Sequence, residues 1–338
     1  MPRSFPLPPL LALAALLGSC SAPSPPQATA PRLQVVTTAL PLTLFSRAVA
    51  GDCADVQPLI PEGLDPHDVQ ARPADLLLLR RARVLVRNGL GLDDYVTPWI
   101  TSAASPELRV VDTSKGVATL PSATGEAEAD APGQDHDHAH DHDDPSPVEH
   151  DQHGDEHQHR HSHGPLNPHI WLDPQRAEQQ LNTIRDALVQ ADPGCAATYR
   201  RNASAYGQQL RALDQQIGAE LAPYRGRTLV SHHDVLPYFA QRYGLQAAAL
   251  VEQPDQPPTP ADLQRISRLA RQQRLRALLS EPPRPSRSLE TLARDLGLRV
   301  LSFDPLETAP AAAAADPDTY LRVMRSNAAT VRQAFAGP

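Results

Sequence analysis

Of the fourteen histidines in this 338-residue chain, ten crowd into one stretch. His136, His138, His140, His142, His150, His153, His157, His159, His161 and His163 are interleaved with aspartate and glutamate between positions 135 and 163. Neutral imidazole and carboxylate are donors that borderline divalent ions such as zinc accept, so the tract reads as a weak, multivalent metal trap. It holds almost no large apolar side chain and cannot bury a core, which predicts a mobile loop over 126–165. Ordering such a segment around each ion costs conformational entropy, so a tight site needs donors fixed by folded elements.

Four histidines remain outside the tract: His67, His169, His232 and His233. His67 lies in the turn-rich phrase Pro61-Glu62-Gly63-Leu64-Asp65-Pro66-His67-Asp68, and His169 in Asn167-Pro168-His169-Ile170-Trp171-Leu172-Asp173-Pro174. The adjacent His232 and His233 follow the run 228–231, and Asp304 follows the run 299–302. A lone loop histidine, or an aspartate before proline, is most often a turn residue or a cap. Here all of them fall where short β-branched or leucine-rich runs end, and open α/β sheets bind ligands beyond the carboxyl ends of their strands. The shared position is what argues for a site.

The elements that must carry these residues alternate along the chain. Strands are expected at 32–38, 56–60, 84–87 and 108–112, with helices at 41–50, 73–82 and 174–190, the last after the Asp173-Pro174 start signal. The second half repeats the pattern, with strands at 228–231, 246–251, 277–280 and 299–302 and helices at 235–243, 260–273, 286–296 and 316–335. Such alternation predicts parallel sheets covered by helices on both faces. Between the halves, Tyr199, Ala203, Tyr206, Leu210, Leu213, Ile217 and Leu221 fall at three- and four-residue steps, which describes one long helix with a continuous apolar stripe. The domain plan is a 32–192 amino-terminal lobe that includes the His-rich loop, a 193–224 linker helix and a 225–338 carboxy-terminal lobe.

Upstream of the body, Arg3, an apolar run and Leu17-Gly18-Ser19-Cys20 read as an export signal over 1–19, too short to span a bilayer as a permanent helix. The Leu-Gly-Ser-Cys ending resembles the cleavage site of bacterial lipoproteins, which implies a lipidated Cys20, and 20–31 is a Pro-, Ser- and Ala-rich tether. Cys53 and Cys195 remain; an exported location permits them to pair, and two buried free thiols are the alternative. Between 135 and 163, nine acids against Arg160 account for the whole formal net charge of −8. The rest of the chain is formally neutral and aromatics make up only 4%, so a nucleic-acid partner is excluded. The absence of a His-Glu-x-x-His helix argues against a zinc hydrolase.

These phrases, together with Val86-Arg87-Asn88-Gly89-Leu90-Gly91-Leu92, Ser231-His232-His233-Asp234 and Phe303-Asp304-Pro305-Leu306, resemble the solute-binding proteins of zinc and manganese ABC importers, the ZnuA/TroA-like group. The resemblance covers nearly all of 32–337. It implies two α/β lobes joined by one long helix, an ion in the cleft between them, and no enzymatic activity. It further implies a monomer at the periplasmic or extracellular face of the cytoplasmic membrane, delivering zinc to a permease with its ATPase. Carried over residue by residue, the ligands would be His67 and His169 from the amino lobe and His233 and Asp304 from the carboxy lobe. His233 matches the family's His-Asp phrase, and His232 stays open as the alternative. Glu281, at the family's Glu-Pro strand end, lies nearby in a structural role. Three imidazoles and one carboxylate suit tetrahedral zinc, whereas manganese, the alternative cargo, takes more oxygen donors.

Overall fold

The computed structural model describes residues 32–61, 72–123, 164–282 and 286–336. The signal, the tether with Cys20, His67, and the ten histidines of the tract lie outside the described residues.

Apolar side chains that alternate along very short strands, each followed by a helix, are buried on both faces of a parallel sheet, and this happens twice. The first sheet contains β1 (Leu33–Thr37), β2 (Ala54–Pro58), β3 (Val84–Arg87) and β4 (Arg109–Asp112), in the order β2-β1-β3-β4 and parallel throughout. Val35, Val84 and Val86 point to one side, against α1 (Leu40–Ala50) and α4 (Pro174–Ala191). Val36 and Leu85 point to the other, against α2 (Pro73–Arg81) and α3 (Val96–Ala103). The sequence pattern contains no sign of α3, because Val96, Thr97 and Pro98 are poor helix formers and the helix is short. It forms because Val96, Trp99 and Ala103 are buried beside Leu79 and Leu85.

The second sheet repeats the plan with β5 (Thr228–Ser231), β6 (Gln246–Ala249), β7 (Ala277–Ser280) and β8 (Arg299–Ser302), ordered β6-β5-β7-β8 and parallel. Val230 and Leu278 face α7 (Pro260–Gln272) and α8 (Arg287–Leu296). Leu229 and Leu279 face the opposite side, with α6 (Pro237–Tyr243) and α10 (Thr319–Phe335). A five-residue helix, α9 (Ala311–Ala315), precedes α10.

The linker helix α5 (Ala196–Leu221) buries all seven residues of its expected stripe. It is no bare strut. One continuous core runs from Val35 and Phe45 of the first half, along Tyr199, Leu210 and Ile217, to Leu229 and Phe303 of the second. α10 returns across it: the Tyr206 hydroxyl donates to Pro317 O at 2.7 Å, and the Phe45 and Tyr320 rings meet edge to face at 5.0 Å. The start of α5 is tied down covalently, because Cys53 and Cys195 form a disulfide across 142 residues of sequence. Among the described residues no helix is long and apolar enough to cross a membrane.

Candidate metal centre

Each candidate side chain among the described residues stands just beyond a strand end or in a loop braced against one. β3 ends at Arg87, and the next residue, Asn88, reaches across to donate its amide to Pro168 O at 3.0 Å. Gln180 of α4 holds the other side of that amide by donating to Asn88 Oδ1 at 3.1 Å. The turn after Asn88 needs glycine: Gly89 has φ +82°, and a Cβ there would come within 2.5 Å of Asp112 Oδ1. Asn88 therefore fixes the backbone from which His169 projects. Asn167 does the rest, since its Oδ1 accepts the His169 backbone N–H at 3.0 Å and lies 3.0 Å from Nδ1. With Nδ1 so engaged, Nε2 is the atom presented to the cleft.

In the second half, β5 delivers His232 and His233, β7 delivers Glu281, and β8 leads into the loop of Asp304 and Glu307. The two adjacent histidines diverge. His233 is buried, with Nδ1 2.9 Å from Glu281 Oε2 and Nε2 3.4 Å from Glu307 Oε1. His232 stays partly exposed, with Nδ1 3.6 Å from the same Glu281 oxygen. Glu281 also accepts the His232 backbone N–H at 2.9 Å. It thus orients the His233 ring and leaves Nε2 for a ligand.

The Nε2 of His169 is 3.1 Å from Glu307 Oε1, and the His169 and His233 ring centroids are 5.4 Å apart. His169, His233 and Glu307 therefore converge on one point from both halves of the molecule, with two imidazole nitrogens and one carboxylate. His232, His233 and Glu281 form a second group that uses the opposite nitrogen of His233.

Asp304, the carboxylate expected from the sequence, is in neither group among the described residues. Its Oδ1 accepts the Leu306 N–H at 2.8 Å, while its own backbone is clamped on both sides by Asn327, at 2.9 and 2.7 Å. Asp304 shapes the turn, in which Leu306 takes φ +62°, and the turn carries Glu307 inward. Trp171 Nε1 donates to Pro305 O at 2.8 Å, so the first half holds this turn in place as well. Glu307 was not among the residues read from the sequence, which named Asp304 from the same loop.

The electrostatics favour a cation at the convergence point. Burial alone would lower the His233 pKa, but the carboxylates of Glu281 and Glu307 overcome it and hold the imidazole well above its ordinary range. Glu281 is the counterpart: burial would raise its pKa, and the charge on His233 with hydrogen bonds from both histidines brings it below the usual carboxylate value. The Asp304 carboxyl is pushed up, chiefly by burial and further by the nearby charge of Glu307, against the hydrogen bond from Leu306.

The convergence of both lobes on one donor set fits the family model described as zinc-uptake complex component A, periplasmic (ZnuA), which matches residues 35–334. The chain belongs to the ZnuA family. Among its relatives, the zinc-binding lipoprotein AdcA of Streptococcus pneumoniae is 28% identical over 303 residues, covering 89% of this chain and 56% of that protein. This ZnuA-family chain spans about half the length of the first such curated relatives. The high-affinity zinc uptake system protein ZnuA of Bacillus subtilis is 27% identical over 300 residues, 87% of this chain and 85% of the relative. Among solved structures, the solute-binding protein FpvC of Pseudomonas aeruginosa in complex with Mn2+ superposes with a TM-score of 0.71 at 27% identity, covering 90% of this chain and 98% of that one. A crystal structure of ZnuA shares the fold at a TM-score of 0.70 and 22% identity.

The described residues on either side of positions 124–163 are held next to this centre. They are stapled by an antiparallel bridge between Pro121 and Leu166, with Asn167 N donating to Leu120 O at 2.9 Å. Asp234, from the other half, accepts from Ala123 N at 3.2 Å and from Asn167 Nδ2 at 3.0 Å.

Proposed function

We propose that the protein is an extracytoplasmic zinc-binding protein, lipid-anchored through Cys20, that captures Zn2+ and delivers it to an ABC-type permease and its ATPase. The observation that carries this reading is the meeting of His169 Nε2, His233 Nε2 and a Glu307 oxygen from opposite halves of the fold. Two imidazoles and a carboxylate, with His67 as the fourth donor, make a nitrogen-rich, closed tetrahedral set of the kind zinc takes. Four protein donors leave no open position for an activated water, so the site binds its ion as cargo and is not a hydrolase centre. Manganese is the alternative cargo, since FpvC holds Mn2+ in its crystal; the nitrogen content of this donor set weighs against it.

Release follows from how Glu307 is held. Its turn is anchored to Trp171 of the first half through Pro305, while His233 belongs to the second half. A permease that moves one lobe against the other separates His169 from His233 and Glu307 and frees the ion. The tract between 135 and 163 collects zinc weakly beside the mouth.

Metal titration of the metal-free mature chain, with zinc and manganese in competition, tests the reading. One tight zinc equivalent is expected in the wild type, absent in His233→Ala, weakened in Glu307→Gln and retained in Asp304→Asn. If Asp304→Asn lost the tight equivalent while Glu307→Gln kept it, the donor set would be wrong; if manganese won, so would the cargo. Deletion of 135–163 should leave the tight equivalent and lower the total capacity.

A further inference from the structure

The metal centre does not use an arginine-rich surface of the described fold. Between positions 263 and 299 stand nine arginines against three acids, in a chain whose formal net charge is −8. Arg268, Arg271, Arg274, Arg276, Arg287 and Arg294 are all exposed. Among the described residues their side chains make no ion pair, in contrast to Arg265, which pairs with Asp262 on the same helix. Clustered like charges without counter-charges repel one another and destabilise the compact state slightly, and a polyanion relieves that repulsion.

Three of these arginines line one open groove between α7 and α8: Arg268 and Arg271 on one wall, Arg287 on the other. The hydroxyls of Ser288 and Thr291 are on the α8 wall with a single acid, Asp295. Guanidinium groups and hydroxyls are hydrogen-bond donors matched to phosphate oxygens. No aromatic side chain lines the groove, so nothing there can stack on a nucleobase. The two helices pack on the outer side of the second sheet through their own cluster, with Ile266, Leu289 and Leu292 buried against Val230 and Leu278. The core shared with α5 and the first half is on the opposite side. Occupying the groove therefore leaves both the shared core and the strand ends that carry the metal ligands uncovered.

We propose that the α7–α8 face is a docking surface for an anionic phospholipid bilayer. The described chain begins at Arg32, twelve residues after Cys20. A tether of that length spans about 40 Å at most when fully extended, at roughly 3.3–3.6 Å per residue. With Cys20 in the membrane, as the proposed function holds, the tether keeps the body within reach of lipid headgroups, and a surface able to bind them needs only a weak electrostatic contact. The contact sets which face of the body lies on the bilayer while the lobes remain free to take up the ion.

The test uses the unlipidated mature chain beginning at Ser21, with vesicles of phosphatidylcholine alone or mixed with phosphatidylglycerol, in a co-sedimentation assay. Binding is expected to the anionic vesicles alone and to fall steeply when salt rises from about 50 mM to about 500 mM. The variant R268E/R271E/R287E should bind them about a hundredfold more weakly, with its melting temperature and zinc stoichiometry unchanged. Reversal of three exposed arginines elsewhere, R81E/R109E/R200E, should leave vesicle binding intact. Equal binding to neutral vesicles, wild-type binding by the first variant, or an equal loss in the second overturns the proposal. So does displacement by millimolar inorganic phosphate, which would make the groove a small-anion site. The lipid is absent from the zinc titration and zinc from the sedimentation, so failure of the metal reading and failure of this one are seen separately.

Discussion

Removing the Cys53–Cys195 disulfide should destabilise the protein while leaving zinc affinity untouched. The bridge closes a loop of 142 residues, running from the turn before β2 to the start of α5. Chain entropy for a loop of that length gives an upper figure of about 5 kcal/mol at 25 °C, and native disulfides deliver ~2–4. The neighbouring contacts remain without it: β1 and β2 stay paired over five positions, and Asn202 Nδ2 still donates to Val49 O at 3.2 Å. With an unfolding entropy of about 2.1 cal/mol/K per residue over roughly 300 residues, a loss of about 3–4 kcal/mol corresponds to a fall of ~5–6 °C in Tm. The double variant Cys53→Ser/Cys195→Ser, and the wild type under reductant, should both show that fall by calorimetry. Both should also retain one tight zinc equivalent, because none of the converging donors touches the bridge. An unchanged Tm would show that the folded contacts, not the covalent link, limit stability here. A lost zinc equivalent would show that the two lobes depend on the bridge for their alignment, against the shared core described above.

Four further outcomes are expected. Glu281→Gln should weaken zinc binding by about 10–100-fold, as removal of an orienting partner of a metal-bound imidazole does, and in a His233→Ala background, where the ring it orients is already lost, it should add little. Zinc uptake should release a proton, measurable by calorimetry in buffers of different ionisation enthalpy, because the metal displaces the proton that Glu281 and Glu307 hold on His233 against its burial. The same shift fixes a sign for the metal-free protein: the folded pKa of His233 lies above the unfolded value near 6.5, so its contribution is fully present below that pH and is lost as pH rises through the folded value. A metal-free Tm that rose through that interval would contradict the assignment. Thr259→Ala should cost about 1 kcal/mol in urea unfolding, because the Thr259 side chain accepts the Asp262 N–H at the start of α7 and Asp262 returns a bond to the Thr259 backbone.

The strands were legible because their signal is local. Val84–Arg87, Thr228–Ser231, Ala277–Ser280 and Arg299–Ser302 are apolar or β-branched runs, the first three largely buried and the last at the sheet edge, whose bounds coincide with those read from the sequence. The long helix declared itself through a stripe in which all seven expected residues are buried. Helices without such a pattern did not: α3 owes its existence to Trp99 and its neighbours in the second core cluster, and the alanine run of α9 carries no apolar periodicity to read. The structure brings His169 and His233 together, His233 just beyond β5 and His169 in a loop, whereas His67 falls outside the described residues.

The carboxylate of the proposed donor set was the hard case, and the reason is geometric. A strand end tells which loop faces the cleft, but not which residue of that loop points inward. That choice depends on the turn, and here the turn is built by Asp304 accepting from Leu306 with Leu306 in the left-handed region. A branched apolar residue takes that conformation only where its surroundings compensate; burial of Leu306 and the Trp171 contact to Pro305 supply that compensation. Asp304 and Glu307 therefore hold different offices in one device: the first folds the turn, and the second is delivered by it. It follows that Asp304→Asn, which keeps an oxygen to accept the Leu306 N–H, should preserve the tight zinc equivalent, whereas Asp304→Leu should weaken it by releasing the turn. Equal tolerance of both substitutions would mean that Glu307 reaches the ion without help from Asp304, and the coupling argued here would fall.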